Sequence, residues 1–156
     1  MKKISVFILL IAATFASCSK DDDGGSEISE ANLIGKWQWT ASTENGEVYQ
    51  LDECDLKDFF QLKSGGELSG ISYGKLTTTT NGQTTFTCEE YPYSSKWSLS
   101  GDTLSVTYTD GNVSETETST IKELTDSKLV IEYSYEDSDG NGNVKTYVDV
   151  ETYKKI

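Results

Sequence analysis

Site chemistry needs groups that can carry a proton, hold a metal or attack a carbon, and this chain is short of most of them. It has no histidine. An ordinary Ser-His-Asp arrangement and a histidine-bearing zinc site are therefore excluded. Cys54 and Cys88 could act as nucleophiles only beside a base, most often histidine. Glu89-Glu90 is the kind of acid pair that glycoside hydrolysis uses, but a chain with 26 Asp and Glu places acids side by side by chance. No glycine-rich phosphate loop occurs. Asp137-Ser138-Asp139-Gly140-Asn141-Gly142-Asn143 alternates oxygen-bearing side chains as a hard cation prefers. Twelve positions along, however, stands Val148, where a helix-flanked calcium loop needs a bidentate acid. A long hairpin turn is expected there instead. The chain reads as a non-enzyme with no catalytic residue, no metal and no cofactor.

What remains for recognition is aromatic. Trp37, Trp39, Trp97, Phe60, Tyr108 and Tyr133 sit in strand-like runs where alternate residues share a face. They have two readings: packing at the base of a core, or the wall of a ligand site. Tyrosine suits a cavity because its ring is apolar and its tip polar, and it suits the outer face of exposed strands equally well. The formal net charge of −13 removes one class of partner, since nucleic-acid binding needs a basic footprint.

The elements that must position these residues are strands. Lys36 to Ala41 alternates, with Trp37, Trp39 and Ala41 on one face. Phe60 and Leu62 share a face before a Gly-Gly turn. Asn81-Gly82 lies between Thr-rich arms, a strong hairpin signature. Further turns are expected at Ser100-Gly101-Asp102 and Asp110-Gly111-Asn112, with Leu104, Val106 and Tyr108 on one face between them. A last hairpin carries Leu129, Ile131, Tyr133 and Tyr135 on one arm and the row Val144, Thr146, Val148 and Val150 on the other. A short helical turn is expected near Glu53 to Lys57. Turns recur about every 10 residues, as in an all-β meander. The expected fold is a single up-and-down antiparallel β-barrel of eight to nine strands, because closure removes exposed edges. A two-sheet β-sandwich is the alternative.

The N-terminus adds an address. Lys2 and Lys3 precede an apolar run from Ile4 to about Ala13, then small residues Ala16 and Ser17. This is the layout of a secretory signal peptide over residues 1–17, and the run is too short for a good spanning helix. Phe15-Ala16-Ser17-Cys18 resembles a bacterial lipobox, with Phe15 in the usual leucine position, as lipoproteins of the Bacteroidota type tolerate. Lys20, Asp21, Asp22 and Asp23 resemble the signal that sends such lipoproteins to the cell surface. The resemblance implies lipidation of Cys18, an acidic tether over 18–31, and anchoring in the bacterial outer membrane, surface-exposed or on the periplasmic face. Several acyl chains would give a stable attachment. With Cys18 lipidated, Cys54 and Cys88 are left in an oxidising compartment, where one disulfide is the simplest outcome.

The rest of the chain, residues 32–156, carries a second resemblance. Gly35-Lys36-Trp37, then Trp97 and the Gly101-Asp102-Thr103-Leu104 turn, then the Leu124 to Leu129 segment, are similar in order to the lipocalin-like domain of Bacteroidota lipoproteins. The resemblance implies a lipocalin-like barrel that binds a small apolar ligand without catalysis. The alternative is a filled barrel whose outer surface binds a glycan or a protein. Lipocalins cover the first tryptophan with an arginine near the end of the last strand. This chain has no arginine, so Lys154 or Lys155 is expected there. Asp102-Thr103-Leu104 also resembles the Bacteroidota O-glycosylation motif, centred on Thr103, with an ordinary hairpin turn as the alternative.

Overall fold

The structure is a computed structural model that describes residues 27–138 and 142–156. The expected signal peptide, Cys18, Lys20, Asp21, Asp22, Asp23, most of the tether and the tip of the last hairpin lie outside the described residues. A short helix, α1 (Glu30–Leu33), is followed by nine strands: β1 (Gly35–Glu44), β2 (Glu47–Tyr49), β3 (Phe59–Lys63), β4 (Glu67–Thr80), β5 (Gln83–Ser100), β6 (Thr103–Asp110), β7 (Val113–Leu124), β8 (Lys128–Ser138) and β9 (Val144–Lys155). A 3-10 turn, Asp55–Lys57, falls where a helical turn is expected. From β3 to β9 each strand pairs with the next, β1 pairs with β3, and β1 also pairs with β9. The sheet therefore closes on itself as an eight-stranded barrel, and β2 is a ninth strand paired with β1 beyond the barrel wall. One closed sheet replaces the two of a sandwich.

The hairpins follow from turn chemistry. Asn81 and Gly82 have φ of 53° and 76°. That is the primed two-residue turn whose twist matches paired strands, and asparagine and glycine tolerate it best. Asn45-Gly46, with φ of 51° and 82°, makes the same turn between β1 and β2.

The core sits at one end of the barrel, where α1 covers the opening. Leu33, Trp37, Leu62, Leu124, Leu129 and Ile131 are fully buried there, with Trp97 and Leu104 beside them. Each such side chain contributes about 1.5–3 kcal/mol relative to exposure. Trp37 Nε1 donates to Leu33 O at 2.8 Å, which fastens α1 to β1. Lys155 Nζ lies 5.0 Å from the Trp37 ring centroid and donates to Asn32 O at 3.1 Å. Lys155 thus takes the position for which either lysine is expected.

Two strand faces differ from the sequence reading. A bulge between Trp39 and Ala41 inserts one residue and flips the alternation. Ala41 is exposed as a result, and Ser42 turns inward and is buried. On β9 the register pairs Leu129 with Tyr153, Ile131 with Glu151, and Tyr133 with Asp149. Directly paired residues share a face, so Tyr147, Asp149, Glu151 and Tyr153 point inward. The row Val144, Thr146, Val148 and Val150 lies on the outer wall.

Candidate functional site

Above the packed base the barrel is not full. The inward rows bring Phe60 from β3, Tyr93 from β5, Tyr108 from β6, Tyr133 from β8 and Tyr153 from β9 around a cavity of about 150 Å³, floored by Leu68, Leu104 and Ile131. Glycine at position 70 makes part of this arrangement possible. A Cβ there would stand 2.4 Å from Tyr93 Cζ and 2.7 Å from Phe59 O, so any larger residue would push the Tyr93 ring off β4. The Phe60 and Tyr153 rings meet edge to face, with centroids 4.9 Å apart. This is a favoured geometry for aromatic pairs.

Two further spaces adjoin this one. The first, of about 130 Å³, shares Phe60, Tyr93 and Tyr153 with it and adds Trp39, Asp58 and Glu151. The second, of about 440 Å³, shares Tyr133 and Glu151 and adds Glu117, Tyr135 and Asp149. The three share side chains and are taken together as the chamber; the largest also touches Thr118 and Ser134 and opens between β7 and β8, which pair only near the base. Tyr135 stacks on Tyr147 at the mouth, with centroids 5.3 Å apart, and Trp39 stacks on Tyr49 from β2 at 6.3 Å. A groove of about 370 Å³ also runs over the outer wall between Lys63, Glu67, Ser69 and Lys96. Its charged walls are exposed and satisfy each other through the Lys96–Glu67 ion pair at 3.3 Å.

Glu151 is the electrostatic centre of the chamber. Burial raises its carboxyl above the ordinary glutamate value; hydrogen bonds from the Tyr153 and Tyr133 hydroxyls oppose the rise, and the charges of Asp149 and Asp58 add to it. The phenols of Tyr93, Tyr133 and Tyr153 are pushed well above their usual range, mainly by burial. They remain neutral hydrogen-bond donors with acceptor lone pairs. Asp58, whose Oδ1 accepts from the Tyr73 backbone N–H at 2.7 Å, is also raised by burial. Trp39 Nε1 and Asp149 Oδ1 are buried atoms with no hydrogen-bond partner among the described residues. Such groups are costly to leave unpaired.

The structure separates the sequence candidates. Trp37 and Trp97 are base packing, and Trp97 Nε1 donates to Lys63 O at 3.0 Å. Phe60, Tyr108 and Tyr133 line the chamber, and Trp39 borders it. Cys54 and Cys88 are joined in a disulfide with Cα atoms 5.4 Å apart, tying the turn before β3 to β5. Thr103 follows the β5–β6 turn at the closed end, where its hydroxyl lies 3.5 Å from Asp102 Oδ1. Glu89 and Glu90 are neighbours on β5 and project to opposite faces. Glu89 accepts from Tyr91 OH and Glu90 from Tyr73 OH.

The sequence reading misses Tyr93, Glu151, Asp149 and Tyr153. For the last three the one signal is the second alternating row of β9, Tyr147, Asp149, Glu151 and Tyr153, which looks like a solvent face because it holds two acids; Tyr93 lies on β5, in phase with Trp97.

A family model described as Lipocalin-like domain matches residues 33–131, and no curated protein matches the chain. The match covers well over half of the sequence, so the chain belongs to the lipocalin-like domain family. It stops before β9, so Asp149 and Glu151 lie outside the matched residues and their place in the chamber rests on the structure alone.

Proposed function

We propose that this chain, a member of the lipocalin-like domain family, binds a small, largely apolar ligand in its chamber and does not transform it. The observation that carries the reading is the unfilled interior above a fully packed base. Ring faces line it, hydroxyl groups point into it, and polar atoms are left without partners. A concave, mostly apolar space with a few convergent polar groups is the usual form of a ligand site. The chain supplies no histidine and pairs its two described cysteines with each other, which supports binding without catalysis.

The protein is further proposed to be a lipoprotein held in the bacterial outer membrane by lipid on Cys18, with Lys20 and Asp21 to Asp23 directing it to the cell surface. The motif at residues 15–23 supports this part. Palmitate labelling of the wild type and of Cys18→Ala tests it, because an unlabelled wild type sinks it. The rival role, a glycan- or protein-binding outer surface, calls for a filled barrel, and the chamber favours the first reading.

Native mass spectrometry of the processed chain from its own host tests the ligand. A retained molecule that denaturation releases, and that a chamber-filling Val106→Trp variant lacks, is the expected result. An empty chain whose tryptophan fluorescence ignores aromatic alcohols at millimolar concentration would overturn the reading.

A further inference from the structure

The chamber walls carry one sign of charge. Asp58, Glu117, Asp149 and Glu151 line its compartments, and among the described residues no lysine does. Several lysines elsewhere are engaged. Lys75, Lys96, Lys122 and Lys128 pair with acids outside the chamber, and Lys155 is committed to Trp37 at the base. Lys145, at the barrel mouth, lies over the Tyr147 ring at 4.6 Å.

A buried carboxylate wants a charged partner, yet Glu151 receives only neutral hydroxyl donors. Asp149 Oδ1, buried one register step nearer the mouth, receives no hydrogen bond from the described residues. A metal ion does not fit this gap. Among the described residues no group of three or more Cys, Asp or Glu is gathered closely enough to hold one, and hard cations demand several oxygen ligands at once. An organic ammonium has different needs. One carboxylate and the faces of nearby aromatic rings suffice, because the rings attract the cation through their quadrupoles. Tyr133 and Tyr153 both reach Glu151 through their hydroxyls, and their rings stand among the aromatic side chains that line the same space.

We propose that the ligand is an amine: a flat apolar body among Tyr93, Val106, Tyr108 and Tyr133, with a protonated nitrogen between Glu151 and Asp149. This deepens the small-ligand reading and rests on it. The apolar end of the chamber takes the body, and the acidic side toward the mouth takes the head. The occupant is thus an amphiphilic cation rather than a fatty acid or a neutral hydrocarbon.

The test uses three probes with one body and different heads: 4-phenylbutylamine, 4-phenylbutan-1-ol and 4-phenylbutyrate. Each is titrated calorimetrically into the processed full chain at neutral pH. The expected order is amine, alcohol, carboxylate, with the amine about tenfold tighter than the alcohol, the size of one well-placed charge contact. Glu151→Gln should bring the amine down to the level of the alcohol while the alcohol moves less than about threefold, within the scatter of neutral contacts. Asp149→Asn gives a smaller loss of the same kind. If all three probes bind equally, or the alcohol binds best, the amine inference is overturned and the small-ligand reading stands. If none binds, both fall. The wild-type comparison decides the matter even where a variant fails to fold.

Discussion

Removing the charge of Lys155 should loosen the closed end of the barrel by an amount the geometry fixes. Lys155→Met keeps most of the stem that lies over Gly35 and removes the ammonium. The lost contacts are the Trp37 ring at 5.0 Å and Asn32 O at 3.1 Å. A partly desolvated cation–π contact contributes about 1 kcal/mol, and a hydrogen bond from a charged donor about 1.5 kcal/mol. The expected loss is therefore roughly 2–2.5 kcal/mol, or a fall of about 1 M in the urea midpoint for a domain of this size. Tryptophan fluorescence follows it directly, because Trp37 and Trp97 both sit in the affected layer. Lys155→Arg keeps the charge and adds a planar face, so its midpoint should stay within about 0.5 M of the wild type. Gly35→Ala tests the same contact from the other side. Its Cβ would stand 2.4 Å from Lys155 Cε on a backbone with φ of 149°. The two variants should be non-additive, as contacting positions are. A Lys155→Met variant within about 0.5 kcal/mol of the wild type would refute the reasoning and leave apolar packing alone to close that end.

Other consequences can be measured on the same protein. Replacing Cys54 and Cys88 by serine opens a loop of sequence separation 34, which the chain-entropy model values at about 4 kcal/mol; a loss under about 1 kcal/mol in urea unfolding would mean that the unfolded chain is already compact there. Gly70→Ala drives a Cβ into Tyr93 and should cost about 1–3 kcal/mol while weakening probe binding, and unchanged binding would show that the Tyr93 ring is not a wall. Glu151 has its carboxyl raised above the ordinary 4.5 by burial, so the folded state holds a proton that the unfolded state releases. Its contribution is therefore most favourable below about 4.5 and declines as pH rises through the raised value. Glu151→Gln should thus gain melting temperature relative to the wild type as pH climbs, and a pH-independent difference would refute this.

Much of the barrel was legible because its determinants are local. Asn81-Gly82 dictates a primed turn whatever surrounds it, and the Phe60 and Leu62 row can only face a core. The base tryptophans were legible as aromatic residues on strands, and the disulfide followed from counting the remaining thiols. The acidic side of the chamber was not legible because it depends on register. Which β9 row faces inward is set by the length of the connection between Ser138 and Val144, and a slip of one residue exchanges the rows completely. Composition argues for the wrong row there, since valine reads as core and glutamate as surface. The bulge after Trp39 was invisible for the same reason: no residue in Trp39-Thr40-Ala41 announces it, and it exists to keep β1 paired with β9.

Once the inward rows are known, they change character in the same direction. From base to mouth β8 reads Leu129, Ile131, Tyr133, Tyr135, and β9 beside it reads Tyr153, Glu151, Asp149, Tyr147. On β6 the row is Leu104, Val106, Tyr108, and on β7 it is Ile121, Ser119, Glu117, Glu115. Each strand passes from apolar or aromatic at the base to phenolic or acidic at the mouth. Apolar burial is thereby concentrated below the chamber, and the proposed recognition would fall to a different layer of the same barrel. A barrel serving only as a solid scaffold would gain by continuing the aliphatic row upward, because buried phenols and carboxylates contribute less than the leucines that could replace them. Glu151 held inside, with burial raising its carboxyl, is the residue that such a scaffold would discard first. Its presence on an inward row is therefore the strongest physical argument that the upper layer is there to bind.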